Sequence, residues 1–187
     1  ADSSDSLNIL YESEGLMGQL RVVDEYYPDI NVTDRSMLVN GIPQTFVDAS
    51  NGHSYWYYVH MLSTICSSKP KGSDILLLGF GGGSVANELT KLGFNIDAIE
   101  IDKRMYEIAK DYFLFDPKNT NFIVDDARHY LKTSTKKYDV IIFDMIKGEV
   151  QPPYALTKES FSEGLKILKP GGQLLVNFQG HFDEKEG

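Results

Sequence analysis

Ile75, Leu76, Leu77 and Leu78 run straight into Gly79, and glycine recurs at 81, 82 and 83 before Ser84. Four consecutive apolar residues fit a strand covered on both faces, as in a parallel sheet between helices. Glycines at its end let the chain turn sharply and bring its backbone against a ligand. Ser84 then opens a helix whose first N–H groups point into the same space. The turn is not specific by itself, because a G-x-G-x-x-[GAS] pattern is shared with dinucleotide enzymes.

From Asp74 onward strand and helix patterns alternate, which implies parallel strands joined by right-handed crossovers. Strands are expected over residues 95–101, 121–124, 138–143 and 173–178. Between the second and third, Met105, Ile108, Ala109 and Tyr112 share a helical face. Thr157 is placed to cap a helix carrying Phe161, Leu165 and Leu168, with Pro170, Gly171 and Gly172 ending it. Lys132, Lys136 and Lys137 read as a solvated loop.

Upstream, short apolar runs at 7–11, 20–23, 37–39 and 45–47 are separated by turn residues, including Pro28, Asp29, Asn40 and Gly41. They read as a small antiparallel β unit. Tyr55, Tyr58, Val59, Leu62 and Ile65 then follow helical spacing over residues 54–67. The expected organisation is a β unit over 1–53, a connecting helix and linker over 54–72, and a Rossmann-like domain over 73–187. Truncation after the fifth strand is an open alternative, since residues 181–187 are too polar for another strand.

The chain has 187 residues, 42% of them apolar, enough for one substantial core. No run approaches the ~18 apolar residues of a membrane span. The small, polar, acidic start over residues 1–6 is the reverse of a signal peptide's order and reads as a frayed start or a cut point. Cys66 is the single cysteine, so no internal disulfide forms, and a reducing, cytoplasmic setting is expected. A net charge of −9 argues against nucleic acid as a partner. It suits a cationic small molecule, although from charge alone solubility is the simpler account.

In an open parallel sheet the ligand sits beyond the carboxyl ends of the strands, where strand order reverses. Glu100, Asp126 and Asp144 all follow expected strand ends, so they converge with the glycine turn on one crevice. Glu100 is placed to accept from a ribose diol, and Asp126 from an adenine amino group. Asp144 lies at the reactive end. Asp102 and Asp125 read more simply as caps of the next helices. His53, His60, His129 and His181 have no metal-ligand spacing, and no metal is expected. The aromatic run Tyr55, Trp56, Tyr57 and Tyr58 is expected to send two rings to the core and two to the junction with the β unit.

These motifs in this order resemble the polyamine aminopropyltransferases, the spermidine synthase-like family. They are the glycine turn to Val85, the acidic strand end from Ala98 to Asp102, the corner Asp126, Ala127 and Arg128, and the strand ending at Asp144. Gly41, Ile42, Pro43 and Gln44 and the segment from Ser54 to His60 resemble the family's substrate-facing part. The resemblance implies an α/β fold: a Rossmann-like class I methyltransferase sheet preceded by the antiparallel unit. It implies transfer of an aminopropyl group from decarboxylated S-adenosylmethionine to a small-molecule amine acceptor, without a metal.

On that resemblance Asp144 and Tyr55 are the catalytic residues. Gln44, Gly79, Gly81, Gly82, Gly83, Glu100, Ile101, Asp126 and Ala127 hold the donor. Trp56, His60, Lys147, Glu149 and Tyr154 face the acceptor. The expected assembly is a homodimer, and a longer parent chain with a membrane domain is an alternative that some family members illustrate.

The chain departs from the family at three places. Gly82 stands where members carry an acid that holds the donor's ammonium. Trp56 replaces a glutamine. The loop after the fourth strand reads Asp144, Met145, Ile146, Lys147, Gly148 and Glu149 in place of a second nearby acid. Gly82 leaves open a methyltransferase of the same fold using intact S-adenosylmethionine. A non-catalytic domain that holds an adenosyl ligand is the third alternative, and a dinucleotide oxidoreductase is a distant fourth.

Overall fold

A computed structural model describes residues 7–15, 17–145 and 156–178. Four antiparallel strands come first: β1 (Leu7–Gly15), β2 (Gly18–Tyr27), β3 (Val32–Val39) and β4 (Ile42–Asp48), ordered β1-β2-β3-β4. The β3–β4 hairpin closes on Asn40 and Gly41, both at positive φ, with Val39 opposite Ile42. That two-residue loop matches the right-handed twist of the strands it joins.

Helix α1 (Tyr57–Cys66) leads into β5 (Asp74–Leu78), α2 (Ser84–Lys91), β6 (Asn95–Glu100) and α3 (Arg104–Tyr112). Then come β7 (Thr120–Val124), α4 (Ala127–Thr133), β8 (Tyr138–Phe143), α5 (Lys158–Lys166) and β9 (Leu168–Val176). The second sheet has the order β7-β6-β5-β8-β9 with every pair parallel. The α/β class, the parallel sheet and the preceding antiparallel unit are those expected from the sequence.

Alternation along β5 divides the core. Ile75 and Leu77 face one side, with Val59 and Leu62 of α1, Ala86 and Leu89 of α2, and Ile108 and Ala109 of α3. Leu76 and Leu78 face the other, with Leu131, Phe143 and Ile167. The β unit's Leu20, Val22, Met37, Val39 and Val47 belong to the first of these clusters, so the two sheets share one continuous core.

Two arginines tie the sheets together. Arg35 of β3 grips Asp24 through two nitrogens, at 2.7 and 2.8 Å, and donates to the Tyr112 carbonyl at the end of α3 at 2.7 Å. A cation at a helix C-terminus also meets favourable dipole charge. Arg104 pairs with buried Asp102 at 2.6 Å and reaches the Ser13 hydroxyl and the Gly18 carbonyl on the first hairpin.

Several local expectations are corrected. The buried stripe of α1 is Val59, Leu62 and Cys66, whereas Ile65 is exposed. Thr157 does cap α5, accepting from Ser160 N at 3.2 Å. Yet that helix ends at Lys166, and Leu168, Pro170, Gly171 and Gly172 lie within β9. Its buried face is Ser160 and Gly164, while Leu165 is exposed, because glycine allows α5 close to Leu174 and Phe143. Lys132 is helical. Lys136 is an ion-pair partner of buried Asp97 at 2.8 Å, and Asp97 also accepts from Tyr138 Oη at 2.6 Å. Those contacts answer the cost of burying the carboxylate inside a strand.

Candidate active site

Strand order reverses between β5 and β8, and there the chain leaves a cleft of about 420 Å³. Gly79 forms its floor. Its φ is +93°, and a Cβ would run into the carbonyl of Asp144. Asp144 N donates to Leu78 O at 2.8 Å, and Gly79 N to Ile99 O at 2.9 Å. Pairing therefore continues one residue past the strand ends and fixes the turn.

Glu100 ends β6 with its carboxylate turned into this space. Oε2 accepts from Phe80 N at 3.1 Å and Oε1 from Asp102 N at 2.9 Å. Burial pushes its pKa up, while N–H groups from Asp102, Phe80 and Ile101 oppose the rise. Three backbone N–H groups meet a carboxylate that offers about four acceptor sites, so capacity remains for a donor in the cleft.

Asp126 and Ala127 follow β7 and line the cleft with Ile101. The capping role expected of Asp125 belongs to Asp126, which accepts from the N–H groups of Arg128 and His129, each at 3.0 Å. Asp125 instead meets His129 Nδ1 at 2.9 Å and accepts from Asp126 N at 2.7 Å. Asp102 keeps its expected local role, accepting from Arg104 N at 3.0 Å.

Asp144, like Glu100, is a buried carboxyl of the cleft whose pKa is pushed up. Burial raises its pKa to about 6, against hydrogen bonds from Asn177 and from the Tyr58 hydroxyl. Asn177 Nδ2 lies 2.9 Å from Asp144 Oδ1. Burial and the facing carboxylate in turn push the Tyr58 phenol upward. A buried carboxyl with a pKa near neutrality is equipped to exchange a proton with a substrate.

The cleft is lined by Gln44, Tyr55, Trp56, Gly79, Gly81, Glu100, Ile101, Asp126, Ala127 and Asp144 as expected. Tyr55, however, spends its hydroxyl on Asp34 Oδ1 at 2.7 Å, and burial with that bond raises its pKa to about 12. The tyrosine at Asp144 is Tyr58. All four aromatics from Tyr55 to Tyr58 line the cleft; Trp56 and Tyr58 also pack against the core, whereas Tyr55 and Tyr57 are exposed and Tyr55 meets Phe46 and Asp34 of the β unit.

His60 is absent from the lining: its Nε2 contacts Ser54 O at 2.8 Å and its ring stacks on His53. Gly82 and Gly83 are absent from it too. Gly82 N donates to Thr45 Oγ1 at 2.8 Å, and Gly83, at positive φ, packs against Phe80 and Phe115. Lys147, Glu149, Tyr154 and His181 lie outside the described residues. Asn177 and Tyr58 are the functional candidates that sequence reasoning missed. For Asn177 the signal was present: it ends an apolar strand run as Glu100 and Asp144 do.

Parallel strands, with a glycine turn and a buried carboxylate at the strand-order reversal, define a class I methyltransferase-type fold. A crystallised spermidine synthase, solved in complex with the transition state analogue AdoDATO, shares that fold. It superposes with a TM-score of 0.63 at 19% identity, covering 87% of this chain and 53% of that one. Residues 56–184 match the spermine/spermidine synthase domain, and the chain belongs to that family. The polyamine aminopropyltransferase of Vibrio vulnificus (strain CMCP6) is 36% identical over 138 residues, 71% of this chain and 46% of that protein. An N-terminal histidine N-methyltransferase of Emericella nidulans is 32% identical over 114 residues, 58% of this chain and 20% of that protein. The chain thus spans less than half the length of either curated relative.

Proposed function

We propose that this chain carries the transfer site of an aminopropyltransferase that uses decarboxylated S-adenosylmethionine and an amine acceptor. Asp144, buried at the strand-order reversal and held by two hydrogen bonds, carries the reading. Glu100 takes the ribose diol on its remaining acceptor sites. Ile101, Asp126 and Ala127 border the adenine, and Gln44, Gly79 and Gly81 line the path toward the reacting carbon.

Asp144 accepts a proton from the acceptor's ammonium and so supplies a neutral amine. The amine lone pair forms a C–N bond to the carbon beside the sulfonium. The C–S bond breaks with its electrons passing to sulfur, and methylthioadenosine leaves as a neutral thioether. Because the leaving group is already activated, the residues contribute alignment and proton acceptance. Tyr58 holds the base, and Trp56 and Tyr57 give the acceptor side an aromatic wall suited to a cation.

A second reading, methyl transfer from intact S-adenosylmethionine, is favoured by the corner at Gly82. Its φ is not positive, so glycine is required there by contact: a Cβ would sit 2.8 Å from Thr45 Cγ2 and Oγ1. An acid there would have to displace the Thr45 side chain, and glycine leaves no charge at that position to repel a donor carboxylate. A curated relative named as a methyltransferase agrees with this reading.

The test is acceptor-dependent release of methylthioadenosine from the decarboxylated donor, with the aminopropylated amine identified by mass. Its absence with every amine, alongside methylated product from the intact donor, would replace the first reading by the second.

A further inference from the structure

Asn177 stands one residue beyond β9, as Asp144 stands one residue beyond β8. Val176 pairs with Phe143, and Asn177 N donates to Phe143 O at 2.9 Å, so the ladder carries both side chains into the cleft together. Asn177 Nδ2 then meets Asp144 Oδ1 at 2.9 Å. Tyr58 reaches the same carboxylate from α1. Among the described residues, the other ionisable groups lining the cleft are Tyr55 before α1, Tyr57 at its start, Glu100 at the end of β6, Asp125 and Asp126 beyond β7, and Arg128 in α4. The Asp144 carboxyl is governed by its burial and by its bonds to Asn177 and Tyr58.

We infer that Asn177 is a positioning residue, whose amide fixes the orientation of the Asp144 carboxylate and favours its ionised form. An amide N–H donates to carboxylate better than to carboxylic acid, and it cannot itself take the proton. With Oδ1 oriented in this way, the remaining lone pairs of Asp144 are aimed at the incoming amine. The assignment rests on the proposed role of Asp144, and it adds a residue that acts through that group without touching the reacting atoms.

The test compares Asn177→Ala and Asn177→Asp with the parent chain in two readouts. In turnover, the acid limb of kcat/KM moves upward by about one pH unit in Asn177→Ala, the loss of one charge-assisted hydrogen bond. It moves further in Asn177→Asp, where a second carboxylate disfavours ionisation of the first. Loss at pH 7 is therefore about twofold in Asn177→Ala and larger in Asn177→Asp, and in Asn177→Ala it recovers by about pH 9. The second readout is the pH dependence of Tm, which needs no activity. Asn177→Ala shifts the acid-side change in the parent and shifts nothing in an Asp144→Asn background.

An equal loss at every pH, or the same Tm shift with and without Asp144, would overturn the assignment. If no donor supports turnover while the Tm coupling appears, the transferase reading fails and the Asn177–Asp144 coupling stands.

Discussion

Gly79 lies against the carbonyl of Asp144 with no room for a Cβ between them. The turn that opens the cleft and the carboxylate that lines it are therefore one structural unit. The contact exists because β5 and β8 are neighbours at the reversal and each continues its pairing one residue past the strand.

Gly79→Ala should fail twice, through strain at φ +93° and through that backbone clash. A loss of about 2–4 kcal/mol is expected from the two together. Chemical denaturation measures it, and donor affinity should fall with it because Asp144 must move.

Asp144→Asn should abolish transfer and stabilise the fold at neutral pH. The folded pKa, about 6, is raised above the ordinary 3.8. The carboxyl's contribution is thus fully present below pH 4 and lost as pH rises through 6. Parent and variant should match at pH 4, and the variant should lead by about 3 kcal/mol above pH 7. Denaturation at several pH values checks the crossing, and a constant difference would contradict it.

Turnover of the parent chain should rise as pH passes through about 6, because Asp144 must be ionised to accept a proton. A kcat/KM profile with saturating donor reads this limb. Tyr58→Phe should move it upward, since one hydrogen bond to the carboxylate is removed.

Gly82→Asp should destabilise by about 1–3 kcal/mol, as overpacking against Thr45 requires. Adding Thr45→Ala should recover part of that loss. Relative to the parent, the double variant should favour the decarboxylated donor, because an acid repels the carboxylate of the intact one. Thermal shift and competitive donor binding measure the two effects separately.

Asp97→Ala should cost about 3 kcal/mol while leaving donor affinity unchanged. It removes the ion pair with Lys136 at 2.8 Å and the hydrogen bond from the Tyr138 hydroxyl at 2.6 Å, and Asp97 does not line the cleft.

The glycine turn and the strand-end acids were legible because each is a local signal: an apolar run, then a residue the next turn requires. That rule located Gly79, Glu100, Asp126 and Asp144, and it reaches Asn177 when applied to the fifth strand. Tyr58 was not legible in the same way. Four consecutive aromatics carry no mark of which one meets Asp144, and the answer depends on how α1 is rotated against β8. Lys136 was misread because its partner, Asp97, lies 39 positions away on another strand. The crossover from α5 into β9 misled for a local reason: Pro170, Gly171 and Gly172 carry turn chemistry but sit inside a register shift of β9.

The most direct measurement is parallel calorimetric titration of the chain and its Glu100→Ala variant with decarboxylated S-adenosylmethionine, the intact donor and methylthioadenosine. The account predicts one site per chain, tighter binding of the decarboxylated donor than of the intact one, and at least tenfold weakening of all three ligands without the Glu100 carboxylate. Equal affinities in the two proteins, or no binding of any ligand, would contradict it.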